Sequence, residues 1–169
     1  MQIDGAANVN LVSLGSPERP RRRFAGSYGS AYLYFVVPRV ILFRIGHDRR
    51  SLVPRVDFVS APGTSPPGVY RTGGPVALVT ERCRFAFDAT RGRFRLETLH
   101  PGHTLEEVRD ETGFDFDLPE DGTPATTPLL GPLALAALRG PVAAALAEVY
   151  PAFSKRVLGA GAVSETTSP

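Results

Sequence analysis

The sequence has no tryptophan, one cysteine, one methionine and one lysine. A single thiol, Cys83, excludes an internal disulfide and fits a reducing compartment. The missing tryptophan excludes nothing. No run reaches about 18 uninterrupted apolar residues, so no membrane span is expected. The start, MQIDGAANVN, lacks the basic-then-apolar pattern of a secretion signal, and a cytoplasmic location is the expectation. A Walker loop, a G-x-S-x-G elbow and a metal-spaced Cys/His set are also missing. His47, His100 and His103 are scattered, and the pair flanking Pro101-Gly102 needs further ligands to hold an ion, so no metal is expected.

What remains is an ordinary globular composition. The 169 residues are 43% hydrophobic and 21% charged, enough for one domain with a core. The net charge is +2, carried by 18 arginines and Lys155, a bias assigned to codon usage. Arg82, Arg84, Arg91, Arg93 and Arg95 alternate with apolar residues, the pattern of solvated strand faces rather than a nucleic-acid footprint. Prolines and glycines cluster at 62–75 and 119–132, where they punctuate loops.

Taken in order, DGAANVN predicts a turn running into a short strand. GSPERPRRRFA reads as a polar connection, since two prolines oppose regular structure. Residues 36–45 read as a buried strand that starts after Pro38, being apolar and β-branched without a helical period. The preceding AYLYFV fits neither period. RVDFVS at 55–60 reads as a second strand, VYRT at 69–72 as a short one, and PVALVTE as a third. RCRFAFD and FRLETLH alternate cleanly around the turn ATRGR, which predicts an antiparallel hairpin. TLEEVRDET carries a capping box, Thr104 with Glu107, and predicts a helix over 104–112 with Gly113 at C′. Residues 129–149 are alanine-rich and helical in composition, divided by Gly131-Pro132 and Gly140-Pro141. The tail 159–169 reads as disordered, leaving 1–158 as one domain. The overall pattern is mixed strands with few helices, α/β or α+β.

Two places could bear chemistry. Cys83 lies on the apolar face of its strand and reads as a core cysteine. Gly26, Ser27, Tyr28, Gly29 and Ser30 form a small-residue loop whose backbone donors could face a thioester carbonyl or a phosphate.

The stretch LHPGHTLEEVRDETGFDFDLPED resembles the C-terminal signature of the β subunits of family I CoA-transferases. Pro101-Gly102, Thr104, Glu107-Val108 and Thr112-Gly113-Phe114 fall in register with it. GGPVALVTERCRFAFD looks like the family's hairpin. HDRRSLVPRVDFVSAPG is similar to a segment of glutaconate CoA-transferase-type β subunits, and DGAANVN to the family's D-x-x-G-N-x-N. The resemblance covers residues 2 to 120.

The resemblance implies an α/β fold: an open, largely parallel sheet with flanking helices and the antiparallel hairpin. It implies pairing with a homologous α-like subunit in a hetero-oligomer, with no nucleic acid and no membrane. It also implies an acyl-CoA substrate and no permanently bound cofactor. In the transferases a β-subunit glutamate attacks the thioester, and a glycine-rich loop stabilises the oxyanion. These residues begin within the family's β subunit, lacking its N-terminal third, so the catalytic residue is unknown and Glu18 lies in no matching motif. Tyr28 stands where the family's loop has glycine, and Tyr32 where it has an acid. The G-x-x-G-S form looks more like the β subunits of steroid-ring-opening CoA hydrolases, whose working glutamate belongs to the α subunit. The expectation is hydrolysis, C–C cleavage or a diverged acyl reaction rather than true CoA transfer. The alternative is a non-catalytic subunit that stabilises an α-like partner.

Overall fold

The computed structural model describes residues 1–159, which fall into two compact units, Met1–Thr127 and a second beginning at Pro128. Residues 160–169 of the expected tail lie outside the described residues.

The first unit opens with four two-residue strands, β1 (Gln2–Ile3), β2 (Val9–Asn10), β3 (Ser13–Leu14) and β4 (Arg22–Arg23), paired antiparallel as β1–β2 and β3–β4. A helix, α1 (Ser30–Val36), leads into the main sheet: β5 (Val40–Phe43), β6 (Pro75–Val79), β7 (Cys83–Asp88), β8 (Arg93–Leu99) and β9 (Ala125–Thr126). The strands lie side by side in chain order. The two outer pairings are parallel and the two inner ones antiparallel. The sheet is therefore mixed, with the expected hairpin, β7–β8, at its centre. Helix α2 (Leu105–Glu111) follows β8, and both halves of the Thr104–Glu107 capping box are formed.

The core lies on one face of the hairpin. Cys83, Phe85 and Phe87 of β7 and Phe94 and Leu96 of β8 are buried, as their alternation requires. The ring of Phe85 meets Phe94 at 5.9 Å, Phe114 at 6.0 Å and Phe116 at 5.1 Å between centroids, within the range of favourable edge-to-face packing. Val108 of α2, Leu52, Leu78 of β6 and, from the N-terminal region, Ile3, Ala7 and Val9 join the cluster.

Three sequence expectations are corrected. The run 36–45 is not a buried strand: only Val40–Phe43 pairs, at the sheet edge, and Ile41 and Phe43 are each 62% exposed. RVDFVS forms no strand. Its backbone donors go instead to the polar N-terminal turn: Val56 N–H to Asp4 Oδ2 (3.3 Å), Asp57 N–H to Gln2 Oε1 (3.0 Å) and Ser60 N–H to the Val9 carbonyl (2.9 Å). Side-chain acceptors replace the neighbouring strand, which satisfies the backbone without a ladder. VYRT is a loop as well, because Arg71 turns inward.

That turn caps α1. Arg71 donates to the carbonyls of Tyr34 (2.9 Å), Pro62 (2.8 Å) and Gly73 (2.8 Å), and its guanidinium stacks 4.5 Å from the Phe35 ring centre. The amides of Thr72 and Gly73 donate to the Phe35 carbonyl at 3.0 and 2.9 Å. So the orphan carbonyls at the end of α1 are satisfied by the loop before β6. The approach leaves no room for a side chain at Gly73, where a Cβ would stand 1.7 Å from the Val37 oxygen.

The second unit holds α3 (Pro132–Ala137), a kinked connection (Leu138–Val142), α4 (Ala143–Val149) and α5 (Pro151–Leu158). Pro132–Val149 has the length and composition of a membrane-crossing helix. Arg139 sits in its middle, and Gly140 leaves helical geometry at φ −99°, ψ −106°, so the helical hydrogen bonding breaks at Gly140-Pro141.

Candidate functional site

The loop Gly26–Ser30 is anchored at both ends. Upstream, Phe24 N–H donates to the Val12 carbonyl (2.8 Å) and Gly26 N–H to that of Leu11 (3.2 Å). Downstream, α1 is held by buried Tyr34, whose hydroxyl donates to the Ala7 carbonyl at 2.8 Å. Between these anchors Gly26 adopts φ +109° and Tyr28 φ +47°, with the tyrosine 85% exposed. A left-handed tyrosine is uncommon, because its Cβ crowds the backbone. Ser30 closes the turn by donating from both its amide and its hydroxyl to the Ser27 carbonyl.

The amides of Ser27, Tyr28 and Gly29 donate to no group among the described residues. Three successive backbone donors on an exposed turn can hold a carbonyl or phosphate oxygen, and can stabilise negative charge developing there. All five residues singled out from the sequence are thus contiguous in one anchored turn. From Arg19 to His47 the chain carries no aspartate, glutamate or cysteine, so the turn offers donors but no carboxylate or thiol of its own.

The other candidates do not join it. Cys83 is fully buried, and burial pushes its thiol up to about 12, which suppresses the reactive thiolate. His47 is buried between two threonines, with Nδ1 2.8 Å from Thr80 Oγ1 and Nε2 2.8 Å from Thr112 Oγ1. Burial first, and the Arg82 charge second, lower its pKa to about 4. His100 binds the Thr80 carbonyl (3.0 Å) and the Thr127 hydroxyl (2.8 Å). His103 faces Glu107 at 3.5 Å. Among the described residues no group of three or more His, Cys, Asp or Glu is placed to hold a metal.

The His47 bridge carries no sequence signal. Thr80 and Thr112 lie 33 and 65 residues away in the chain, and no local pattern marks them.

No family model matches the chain. Curated relatives do. It is 33% identical over 124 residues to the B-type subunit of glutaconate CoA-transferase from Acidaminococcus fermentans, covering 69% of this chain and 46% of that protein. It is 28% identical over 151 residues to the B-type subunit of 3-oxoadipate CoA-transferase from Pseudomonas knackmussii, 85% of this chain and 58% of the relative. The cholesterol ring-cleaving hydrolase IpdB subunit of Mycobacterium tuberculosis matches at 30% over 119 residues, 68% of this chain and 47% of that subunit. Among solved structures, glutaconate coenzyme A-transferase from Acidaminococcus fermentans superposes with a TM-score of 0.70 at 28% identity, covering 82% of this chain and 54% of that one.

The chain belongs to the β subunits of family I CoA-transferases.

This CoA-transferase β-type chain also superposes on IpdAB of Rhodococcus jostii RHA1, with a TM-score of 0.75 at 26% identity over 82% of this chain and 56% of that one. The decarboxylase AibA/AibB matches with a TM-score of 0.69 at 29% identity, over 82% and 52%. The chain spans about half the length of the curated relatives it matches. These family members include, by name, a transferase, a hydrolase and a decarboxylase. The family fold therefore carries more than one reaction, and the chemistry must be argued from the residues of each member.

Proposed function

We propose that this chain is the β-like subunit of a heteromeric enzyme acting on an acyl-CoA thioester, by hydrolysis, C–C cleavage or a diverged acyl reaction rather than by CoA transfer. The observation that carries this reading is the anchored turn Gly26–Ser30 with its three free amides. Its role is to bind CoA thioester and to stabilise negative charge on the acyl oxygen. The reacting acid or water comes from an α-like partner, since the turn and its flanks supply neither carboxylate nor thiol. CoA enters as substrate, and no resident cofactor is required. A cytoplasmic location fits a single buried thiol and such a substrate.

The partner docks, in this reading, on the outer edge of the main sheet. Ile41 and Phe43 project from β5 into solvent, and β5 is parallel to β6. Parallel strands are ordinarily covered on both faces, so an uncovered one calls for a neighbour.

A second reading, a non-catalytic subunit that stabilises an active α-like partner, draws on the same absence of a carboxylate or thiol and on the exposed ring of Tyr28. Co-expression with an α-like subunit separates the two. A Cβ at Gly29 meets only Leu33 Cδ1, at 3.8 Å, so Gly29→Val fits the fold while covering the free amides. Under the catalytic reading Gly29→Val lowers acyl-CoA turnover by about 100-fold or more and leaves the complex intact. Ser30→Ala, which removes one of the two donors that hold the Ser27 carbonyl, acts in the same direction. Unchanged turnover in both variants would establish the structural role.

A further inference from the structure

Beyond the turn, the first unit contains a polar recess of about 620 Å³ where α2 gives way to the segment Thr112–Phe116. Arg49, Arg93 and Arg109 line it. Each is held there by a different part of the chain: Arg49 by the loop after β5, Arg93 by the start of β8, and Arg109 by the last turn of α2.

Their hydrogen-bond inventory is incomplete. Arg49 rests on the end of α2, donating from Nε to the Asp110 carbonyl and from an Nη to that of Arg109 (3.5 Å). This fixes its guanidinium and leaves three of the five N–H donors unused. Among the described residues neither Arg49 nor Arg109 lies within ion-pair distance of a carboxylate. Arg93 Nε stands 3.2 Å from Asp117 Oδ1 as an ion pair without hydrogen-bond geometry, and that acid is shared with Arg91 at 2.8 Å. The amides of Phe114, Asp115 and Phe116 also donate to no group among the described residues. Among the described residues the one acid lining the recess is Asp115, which is exposed.

We propose that this recess binds a phosphate or pyrophosphate group. Arg49 and Arg109, neither paired with a carboxylate, and Arg93, which shares Asp117 with Arg91, outweigh the exposed Asp115 and leave a positive surplus for the charge of about −1.5 to −2 on a phosphomonoester. The planar forks of arginine suit its tetrahedral oxygens, which accept paired N–H donors. A carboxylate carries half that charge and fewer acceptors. The group could belong to an acyl-CoA or to a separate phosphorylated ligand. This inference concerns binding alone and does not depend on the turn at Gly26–Ser30 being catalytic.

The test is calorimetric titration of the full chain with inorganic pyrophosphate at low ionic strength, where such contacts are least screened. Arg109→Gln and Arg93→Gln are each expected to weaken binding by about tenfold, the usual loss for a charge-assisted contact. Arg19→Gln, on an exposed loop of the N-terminal region, is expected to leave it unchanged. Circular dichroism melts check that each variant stays folded. Competition between CoA and pyrophosphate assigns the site to CoA phosphates, and independent binding of the two assigns it to a separate phosphorylated ligand. Undetectable pyrophosphate binding, equal affinity in all variants, or an equal loss in Arg19→Gln overturns the proposal.

Discussion

His47 donates to Thr112 across 2.8 Å, and the direction of that bond is fixed by the threonine. The Thr112 hydroxyl spends its proton on the Val108 carbonyl (2.6 Å), so its oxygen must accept from His47 Nε2–H. The other ring nitrogen then accepts from Thr80, whose oxygen already takes the amides of Arg82 and Cys83 at 3.2 Å each. One neutral imidazole thus ties the loop after β5, the β6–β7 turn and the end of α2.

Stability should fall as the solution is acidified. The folded pKa of His47 is lowered to about 4 from its ordinary 6.5, first by burial and then by Arg82, against the opposing charges of Glu81 and Asp48. The unfolded chain takes up the proton first, so the stabilisation is complete above 6.5 and is lost progressively down to about 4. The loss is about 3 kcal/mol by linkage. Urea melts at several pH values measure it, with His47→Gln as reference. If wild type and variant show the same pH dependence, the neutral bridge is not the cause.

Gly113 and Gly73 should tolerate no side chain. A Cβ at Gly113 would stand 2.2 Å from the Leu52 oxygen, and one at Gly73 would stand 1.7 Å from that of Val37. Both obstacles are backbone and cannot rotate away. Gly113→Ala and Gly73→Ala are expected to destabilise by about 2–4 kcal/mol. Gly131→Ala, with open space around its Cβ at φ −64°, should cost about 1 kcal/mol at most, the loss of a glycine N-cap. Thermal melts that rank the three equally would contradict the packing described.

Tyr28→Gly should leave stability nearly unchanged while opening the turn. Removing a left-handed side chain relieves about 1 kcal/mol, and the freer unfolded chain offsets much of it. Tighter CoA binding by the partnered enzyme is the expected result. Weaker binding would mean that the Tyr28 ring is itself a contact.

Ile41→Thr with Phe43→Thr should make the isolated chain more soluble and weaken its association with an α-like subunit. These side chains are exposed on an edge strand, a recognised route to aggregation and to strand addition. Light scattering on the isolated chain and co-purification read the two effects. A wild-type chain that is already a stable, soluble monomer would argue against the docking surface.

The parts legible in the sequence are those whose signals are local. Helix α2 is marked by Thr104 and Glu107 three residues apart, and the hairpin by Cys83, Phe85 and Phe87 alternating with Arg84, Ala86 and Asp88. Gly113 does follow that helix, but its φ is not left-handed, and the contact with Leu52 is what requires glycine. RVDFVS has a strand's composition, yet its acceptors come from Gln2 and Asp4, more than 50 residues earlier. Helix α1 is ambiguous in sequence because its aromatics obey distant contacts, Tyr34 with Ala7 and Phe35 with Arg71. Small residues alone mark the turn at Gly26–Ser30. The left-handed conformation of Tyr28 and the three free amides have no signal there.

Those amides give the most direct test of the central claim. Hydrogen exchange across residues 24–36 is measured in the chain partnered with an α-like subunit, with and without a CoA thioester. Slowed exchange at Ser27, Tyr28 and Gly29 is expected when the thioester binds. Unchanged exchange there, in a complex that still turns over acyl-CoA, would show that the substrate is held elsewhere.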